Sequence, residues 1–200
     1  MNNLTTLEHA VHNCDKCRLG NFSATRVFGE GNPEAGVMII GESPGREETS
    51  SGRLFVGDSG MILDKAFDKL TVNRGDFYFA HVLKCSSPNG RITTDIKQEC
   101  IPECLSHLKG QIKIIKPKSI LALGAGAMQI LVDIHSSIGK MRGKALAGPN
   151  EALVVSTWHP AYLLRAGKDS KSKQRKLAAE FLSDLKLVLT IAGIPWCEKK

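Results

Sequence analysis

The sequence predicts an α/β protein, a three-layer αβα sandwich around a central, mainly parallel, four-stranded sheet. Three observations carry this. Four short apolar runs, at 37–40, 77–83, 119–123 and 152–157, have strand length and lack the alternation of a sheet with one wet face. The segments between them place apolar residues three and four apart, the period of a helix. Strands that alternate with helices build a parallel sheet covered on both sides. The 200 residues suit a single domain, 1–200, with no internal repeat or low-complexity tract to divide it.

In chain order, residues 4–13 read as a helix, with Leu4, Leu7 and Val11 on one face, leading into Cys14-Asp-Lys-Cys17. The run Val37-Met-Ile-Ile40 is a buried strand, and a polar, Gly-containing loop follows it from 41 to about 57. Residues 59–70 are helical, with Ile62, Leu63, Ala66, Phe67 and Leu70 on the apolar face. The second strand, 77–83, leads to a loop at 86–94 that holds Ser-Pro-Asn-Gly. A helix at 104–116 is closed by Pro117, which cannot continue it. The third strand runs into Gly124-Ala-Gly126 and a helix through Leu131. The fourth ends at Trp158-His-Pro-Ala161, and a last amphipathic helix at 173–191 aligns Leu177, Phe181, Leu185, Val188 and Leu189. In such sheets ligands bind at the carboxyl ends of the strands, where the loops after Ile40, Leu83 and Thr157 gather.

Composition narrows the function classes. No apolar run is long enough to span a bilayer, so no membrane partner is expected. The N-terminus lacks the basic and apolar regions of a secretory signal, so a cytoplasmic location is expected. With 27 Lys+Arg against 20 Asp+Glu, the formal net charge is +7, which permits a polyanionic partner. A cytosolic chain should not carry structural disulfides, so its six cysteines read first as metal or redox ligands. Cys14 and Cys17 have the C-x-x-C spacing at which two thiolates hold one centre. Cys85 with either Cys100 or Cys104 completes a four-thiolate set, for zinc or for an iron–sulfur cluster, and Cys197 is left as a bystander.

The polar loops carry the other candidates. Gly41-Glu-Ser-Pro-Gly45 fixes a tight backbone path after a strand, and Glu42 and Glu48 are carboxylates able to position water or stabilise charge. It is not a phosphate loop, because Lys and Ser/Thr are missing after the glycines. Phe55, in Gly52-Arg-Leu-Phe-Val-Gly57, can stack on a planar ligand or anchor the core. His159 sits at a strand end, placed for acid or electrostatic work on a bound group. Leu163, Leu164 and Arg165, read on the same loop, suit a wedge that enters a base stack. Lys140-Met-Arg-Gly-Lys144 and the lysines of 168–176 add basic density suited to phosphates.

Taken together, and in order, these motifs resemble the family 4, iron–sulfur uracil-DNA glycosylases. They are Cys14-x-x-Cys17, Gly41-Glu-Ser-Pro-Gly45, Gly52-Arg-Leu-Phe-Val-Gly57, Val82-Leu-Lys-Cys85, Lys116-Pro-Lys118 leading to Leu123-Gly124, Met141-Arg-Gly143 and His159-Pro-Ala-Tyr-Leu-Leu-Arg165. The resemblance spans about residues 5–190. It implies a monomer that acts on DNA containing a noncanonical base, flips that base out and hydrolyses its N-glycosidic bond. It also implies a structural 4Fe–4S cluster on Cys14, Cys17, Cys85 and, counting back from Pro117, Cys104, with Cys100 as the alternative. By the same resemblance, Gly41, Ser43, Phe55 and His81 contact the base, Glu42 and Glu48 serve the sugar and water, and His159 stabilises the leaving anion. Arg142, Lys144, Leu163, Leu164 and Arg165 then face DNA.

One position departs from the family. An Asn usually stands three residues before the Lys-Cys, where this chain has His81. An amide offers uracil a donor and an acceptor together, and one neutral imidazole cannot. Two substrates therefore follow from the sequence: uracil, as in repair, or a modified base such as a modified cytosine of phage DNA, as in defence. A catalytically inactive iron–sulfur DNA-binding module is the rival class, and the retained Glu42, Phe55 and His159 speak against it.

Overall fold

The structure, a computed structural model, describes residues 3–23, 25–88 and 90–199. Asn89 of the turn read at 86–94 lies outside the described residues, as do Met1 and Asn2 of the N-terminal reading. Helices α1 (Leu4–His12) and α2 (Arg18–Phe22) precede a short strand β1 (Glu30–Gly31) and the first core strand β2 (Val37–Gly41). Then follow α3 (Arg46–Ser51), α4 (Asp58–Lys69), β3 (Phe77–His81), α5 (Thr94–Ile115), β4 (Ser119–Leu123) and α6 (Gly124–Val132). The chain continues with α7 (Ile138–Met141), β5 (Ala145–Ala147), β6 (Leu153–Thr157), α8 (Pro160–Asp169) and α9 (Lys171–Ala192).

Among the described residues the sheet has six strands in the order β1-β3-β2-β4-β6-β5, not the four that the sequence predicts. The four expected strands are there and mutually parallel. The additional β1 and β5 pair antiparallel at the two edges. They are two and three residues long, too short to leave a periodic signal.

All five residues of β2, β3 and β4 are buried, which explains their unbroken apolar runs. Side chains alternate between two cores. Val37 and Ile39 join Leu63, Phe67, Phe181 and Leu185 under α4 and α9. Met38 and Ile40 join Leu108, Ile112 and Met128 under α5 and α6. The predicted strand 77–83 ends its ladder at His81, yet Val82 N–H and Leu83 N–H still donate to Gly41 O and Glu42 O, at 3.0 Å each. The helix expected from 104 begins at Thr94, because Pro102 costs one backbone bond without ending it.

Two further corrections concern the site. The 41–57 loop contains α3, and residues 160–169, read as a loop, form α8. Strand β2 lies between β3 and β4, so the crossover from β2 to β3 and the one from β3 back to β4 run in opposite directions. A cleft is expected where those connections part, at the carboxyl end of β2. No described helix is long and apolar enough to cross a membrane.

Candidate active site

A half-open cleft of about 890 Å³ lies at that end of the sheet, lined among others by Glu42, Ser43, Glu48, Phe55, His81 and His159. Six of the seven residues read from the sequence as catalytic or base-contacting thus line one space, and the seventh, Gly41, abuts it through His81. The size is that of a small-molecule pocket.

Glu48 is the hub. It stands in the first turn of α3 and is buried. Its Oε2 accepts the Gly45 N–H at 2.5 Å, and its Oε1 accepts the Phe55 N–H at 2.6 Å. The same Oε1 is 3.0 Å from His81 Nε2. Burial alone would raise this carboxyl, but the His81 hydrogen bond and charge and the two backbone donors outweigh it and hold Glu48 at about 2. Both carboxylate oxygens are thus engaged within the protein.

His81, at the end of β3, is 1% exposed. Its ring packs on Phe55 with centroids 4.8 Å apart. A Cβ at position 41 would overlap His81 Nδ1, so this close approach needs Gly41. Phe55 is buried with φ +50, a backbone that its N–H bond to Glu48 helps to hold. The ring is therefore part of the core and of the cleft wall together.

His159 caps the N-terminus of α8: its Nδ1 accepts the Ala161 N–H at 3.2 Å. That bond leaves Nε2 as the protonated nitrogen of a neutral ring. Burial, then the nearby His81, push His159 down to about 4, against the opposing pull of Glu48. Glu42 lies across the cleft floor. Its Oε1 is 3.0 Å from Lys97 Nζ on α5, and a Cβ at Gly126 would overlap its carboxylate. Lys97 carries no motif in the sequence, and only the fold brings it to Glu42.

The residues assigned to DNA divide. Leu163 is 2% exposed and packs in the core with α9, so it cannot enter a base stack. Arg142 is also withdrawn: its Nε and Nη2 bind Asp184 at 3.0 and 2.5 Å, and Nη2 donates to Glu180 O at 2.8 Å. The causes differ: Leu163 lies on α8, a helix that turns one face inward, whereas Arg142, at the end of α7, is held by Asp184 and Glu180 of α9. Lys144 and Arg165 are exposed, and Leu164 is half-buried.

Five of the six cysteines gather behind the cleft. Cys17, Cys85, Cys100 and Cys104 are buried, Cys14 is half-buried, and Cys197 is exposed, as expected of a bystander. Burial and the nearby Cys104, with Cys17 and Cys14, push the Cys85 thiol up to about 12 against the opposing Arg26. Cys100 instead sits against Cys17 and is pushed to about 11 by burial and that contact. Among the described residues, no three His, Cys, Asp or Glu side chains close on a point as the ligands of a single ion would. Arg26 ties the N-terminal thiol loop down through Cys14 O at 3.0 Å and Gly20 O at 2.7 Å. Lys84 is buried between this group and the cleft, donating to Phe28 O, His81 O and Gln111 Oε1 at 3.0, 2.8 and 2.6 Å. Burial lowers it to about 7. Sequence reasoning gave neither Arg26 nor Lys84 a role.

An α/β sheet with a cleft at its switch point, lined by four carboxylates and two imidazoles, in a chain of net charge +7, suits a hydrolase that acts on nucleic acid. Residues 28–186 match the uracil DNA glycosylase superfamily, and the chain belongs to it. It is 37% identical over 185 residues to a type-4 uracil-DNA glycosylase of Pyrobaculum aerophilum, covering 89% of this chain and 93% of that protein. It is 37% identical over 184 residues to the type-4 uracil-DNA glycosylase of Thermotoga maritima, covering 92% and 93%. With that of Archaeoglobus fulgidus the identity is 30% over 200 residues, covering 96% and 95%.

Proposed function

We propose that this enzyme, acting as a monomer, flips uracil out of DNA and hydrolyses its N-glycosidic bond to leave an abasic site. The observation that carries the reading is the convergence of Glu42, Phe55 and neutral His159 on one cleft, in a chain whose relatives are type-4 uracil-DNA glycosylases. The base must leave the stack to be reached, and a pocket that holds it repays that cost. Phe55 gives the flipped ring an aromatic wall.

When the C1′–N bond breaks, its electron pair leaves with the base and positive charge builds on the sugar. His159, donating from Nε2, stabilises the departing anion at no cost in reorganisation, because Ala161 N–H already fixes the ring. Water adds its oxygen to C1′ and gives up a proton. With Glu48 engaged by Gly45, Phe55 and His81, the part of facing the sugar and receiving that proton falls to Glu42, which Lys97 holds at the cleft that Glu47 and Asp58 also line. Lys144 and Arg165, both exposed, bind phosphates, with Leu164 beside them at the DNA surface.

The cysteine group suits a 4Fe–4S cluster. Cys85 and Cys104 are buried, and burial with the neighbouring thiols raises both, which a cationic cluster core would relieve. Cys14, Cys17, Cys85 and Cys104 would hold it, and its part would be structural, pinning the N-terminal segment to α5. Cys100, packed on Cys17, stays outside this set.

A second reading, a modified cytosine as substrate, rests on His81 alone. Nothing else favours it, and no observation favours a role against phage. The test is an oligonucleotide with a single deoxyuridine. Alkali-labile abasic sites are expected, and their absence would return the protein to the class of inactive DNA-binding modules.

A further inference from the structure

The reaction described above leaves one feature without a use, the buried contact between Glu48 and His81. We propose that these two residues form a base-selecting dyad, in which Glu48 keeps the imidazole proton on Nε2 and so leaves His81 Nδ1 as an acceptor for the flipped base. This rests on the glycosylase reading and deepens it by naming the class of base: one that turns an N–H toward His81.

An ionised carboxylate only accepts, so the 3.0 Å contact from Glu48 Oε1 requires hydrogen on His81 Nε2. The charge that lowers Glu48 belongs to the protonated ring, which has no acceptor; the dyad is the neutral form of His81, whose Nδ1 then carries a lone pair. That atom is buried and has no hydrogen-bond partner among the described residues. A buried polar atom without a partner points to a ligand that supplies one. Its surroundings agree, because it lies beside Gly41 and under Phe55. A side chain at 41 would plug the space next to Nδ1 and press on Phe55, the ring assigned above to stack on the base.

The dyad also reassigns Glu48. Its oxygens are held by Gly45 N–H, Phe55 N–H and His81, so it is a positioning residue that ties the loop, the ring and the reader together. The chemical consequence concerns selectivity. Uracil offers its imino N3–H to an acceptor, hypoxanthine its N1–H, and a 4-aminopyrimidine its amino group. A reader with a donor as well would check for a carbonyl at the same edge. Here the only N–H of His81 is committed to Glu48, so carbonyl and amino edges are distinguished less sharply.

The test uses the full-length protein and single-stranded oligonucleotides that carry uracil, hypoxanthine or cytosine. Single-turnover excision is compared for the wild type, His81→Asn and Glu48→Gln. The expected result is a uracil-to-cytosine rate ratio raised at least ~10-fold in His81→Asn, which regains a donor, and altered in Glu48→Gln. Nitrogen-15 spectra of the wild-type imidazoles provide an independent readout, even if a variant fails to fold. They should place the His81 proton on Nε2 at neutral pH, and a proton on Nδ1 would overturn the dyad. If uracil is removed but the ratio is the same in His81→Asn, the dyad fails and the glycosylase reading stands. If neither the wild type nor a variant removes any base, both fail.

Discussion

The Glu48 carboxylate joins the backbone of Phe55 to the ring of His81: one oxygen takes the Phe55 N–H at 2.6 Å and lies 3.0 Å from His81 Nε2. Three segments distant in sequence, the loop after β2, the turn at 55 and the end of β3, are thereby fixed relative to one another. The cleft owes its shape to this contact as much as to the sheet below it.

Acid should loosen that hub. Glu48 is held at about 2, below its ordinary 4.5, so it stabilises the fold fully above 4.5 and loses that contribution as pH falls through about 2. Glu48→Gln should flatten the stability profile between those values. Chemical denaturation at a series of pH values measures it, and a slope unchanged by the substitution would remove Glu48 from the account of acid stability.

His159 acts in a different window. Burial lowers it from 6.5 to about 4, so the unfolded chain binds its proton first and stability declines as pH falls from 6.5 toward 4. A His159→Gln variant should lack this part of the decline. Proton NMR of the ring should place its titration near the lower value, and a midpoint near 6.5 would contradict the buried, neutral assignment.

Arg142 should prove a stability residue. Removing its guanidinium leaves Asp184 buried without its partner, a change that costs about 3 kcal/mol in comparable pairs. Arg142→Ala is expected to lower the unfolding midpoint while leaving DNA affinity of the folded fraction unchanged. Lys144→Ala should do the reverse, weakening binding to all sequences and reducing the salt slope by about one. Fluorescence titrations at several salt concentrations distinguish the two.

The cysteines can be ranked by substitution. Cys104→Ser should abolish the visible absorbance and iron content of the purified protein, whereas Cys100→Ser should retain both. The opposite pattern would make Cys100 the fourth ligand, and a colourless wild type with stoichiometric zinc would replace the cluster altogether.

The core strands were legible because both faces of β2, β3 and β4, and all of β6 after Leu153, are buried, so apolar residues run through Val37-Met-Ile-Ile40 and its counterparts. Glu42, Glu48, Phe55 and His159 stood out at polar, glycine-rich strand ends and line the cleft, whereas Ser43 and His81, which line it too, were marked only by the family resemblance. What the sequence concealed is directional. Nothing in the spelling of Arg142 or Leu163 says that one turns to Asp184 and the other to the core. Likewise Lys97 meets Glu42 from a helix that begins three turns before its expected start, and Glu48 meets His81 across 33 residues. Such pairings belong to packing between elements, which the local pattern of either element does not contain.

The central claim is that neutral His159 stabilises the anion of a base bound against Phe55. Single-turnover excision of uracil by the wild type and His159→Ala, with DNA affinity measured in parallel, tests it most directly. The expected result is a chemical step slowed by about 10²–10³ with affinity unchanged, the loss typical of removing one preorganised donor. An excision rate equal to that of the wild type would contradict it.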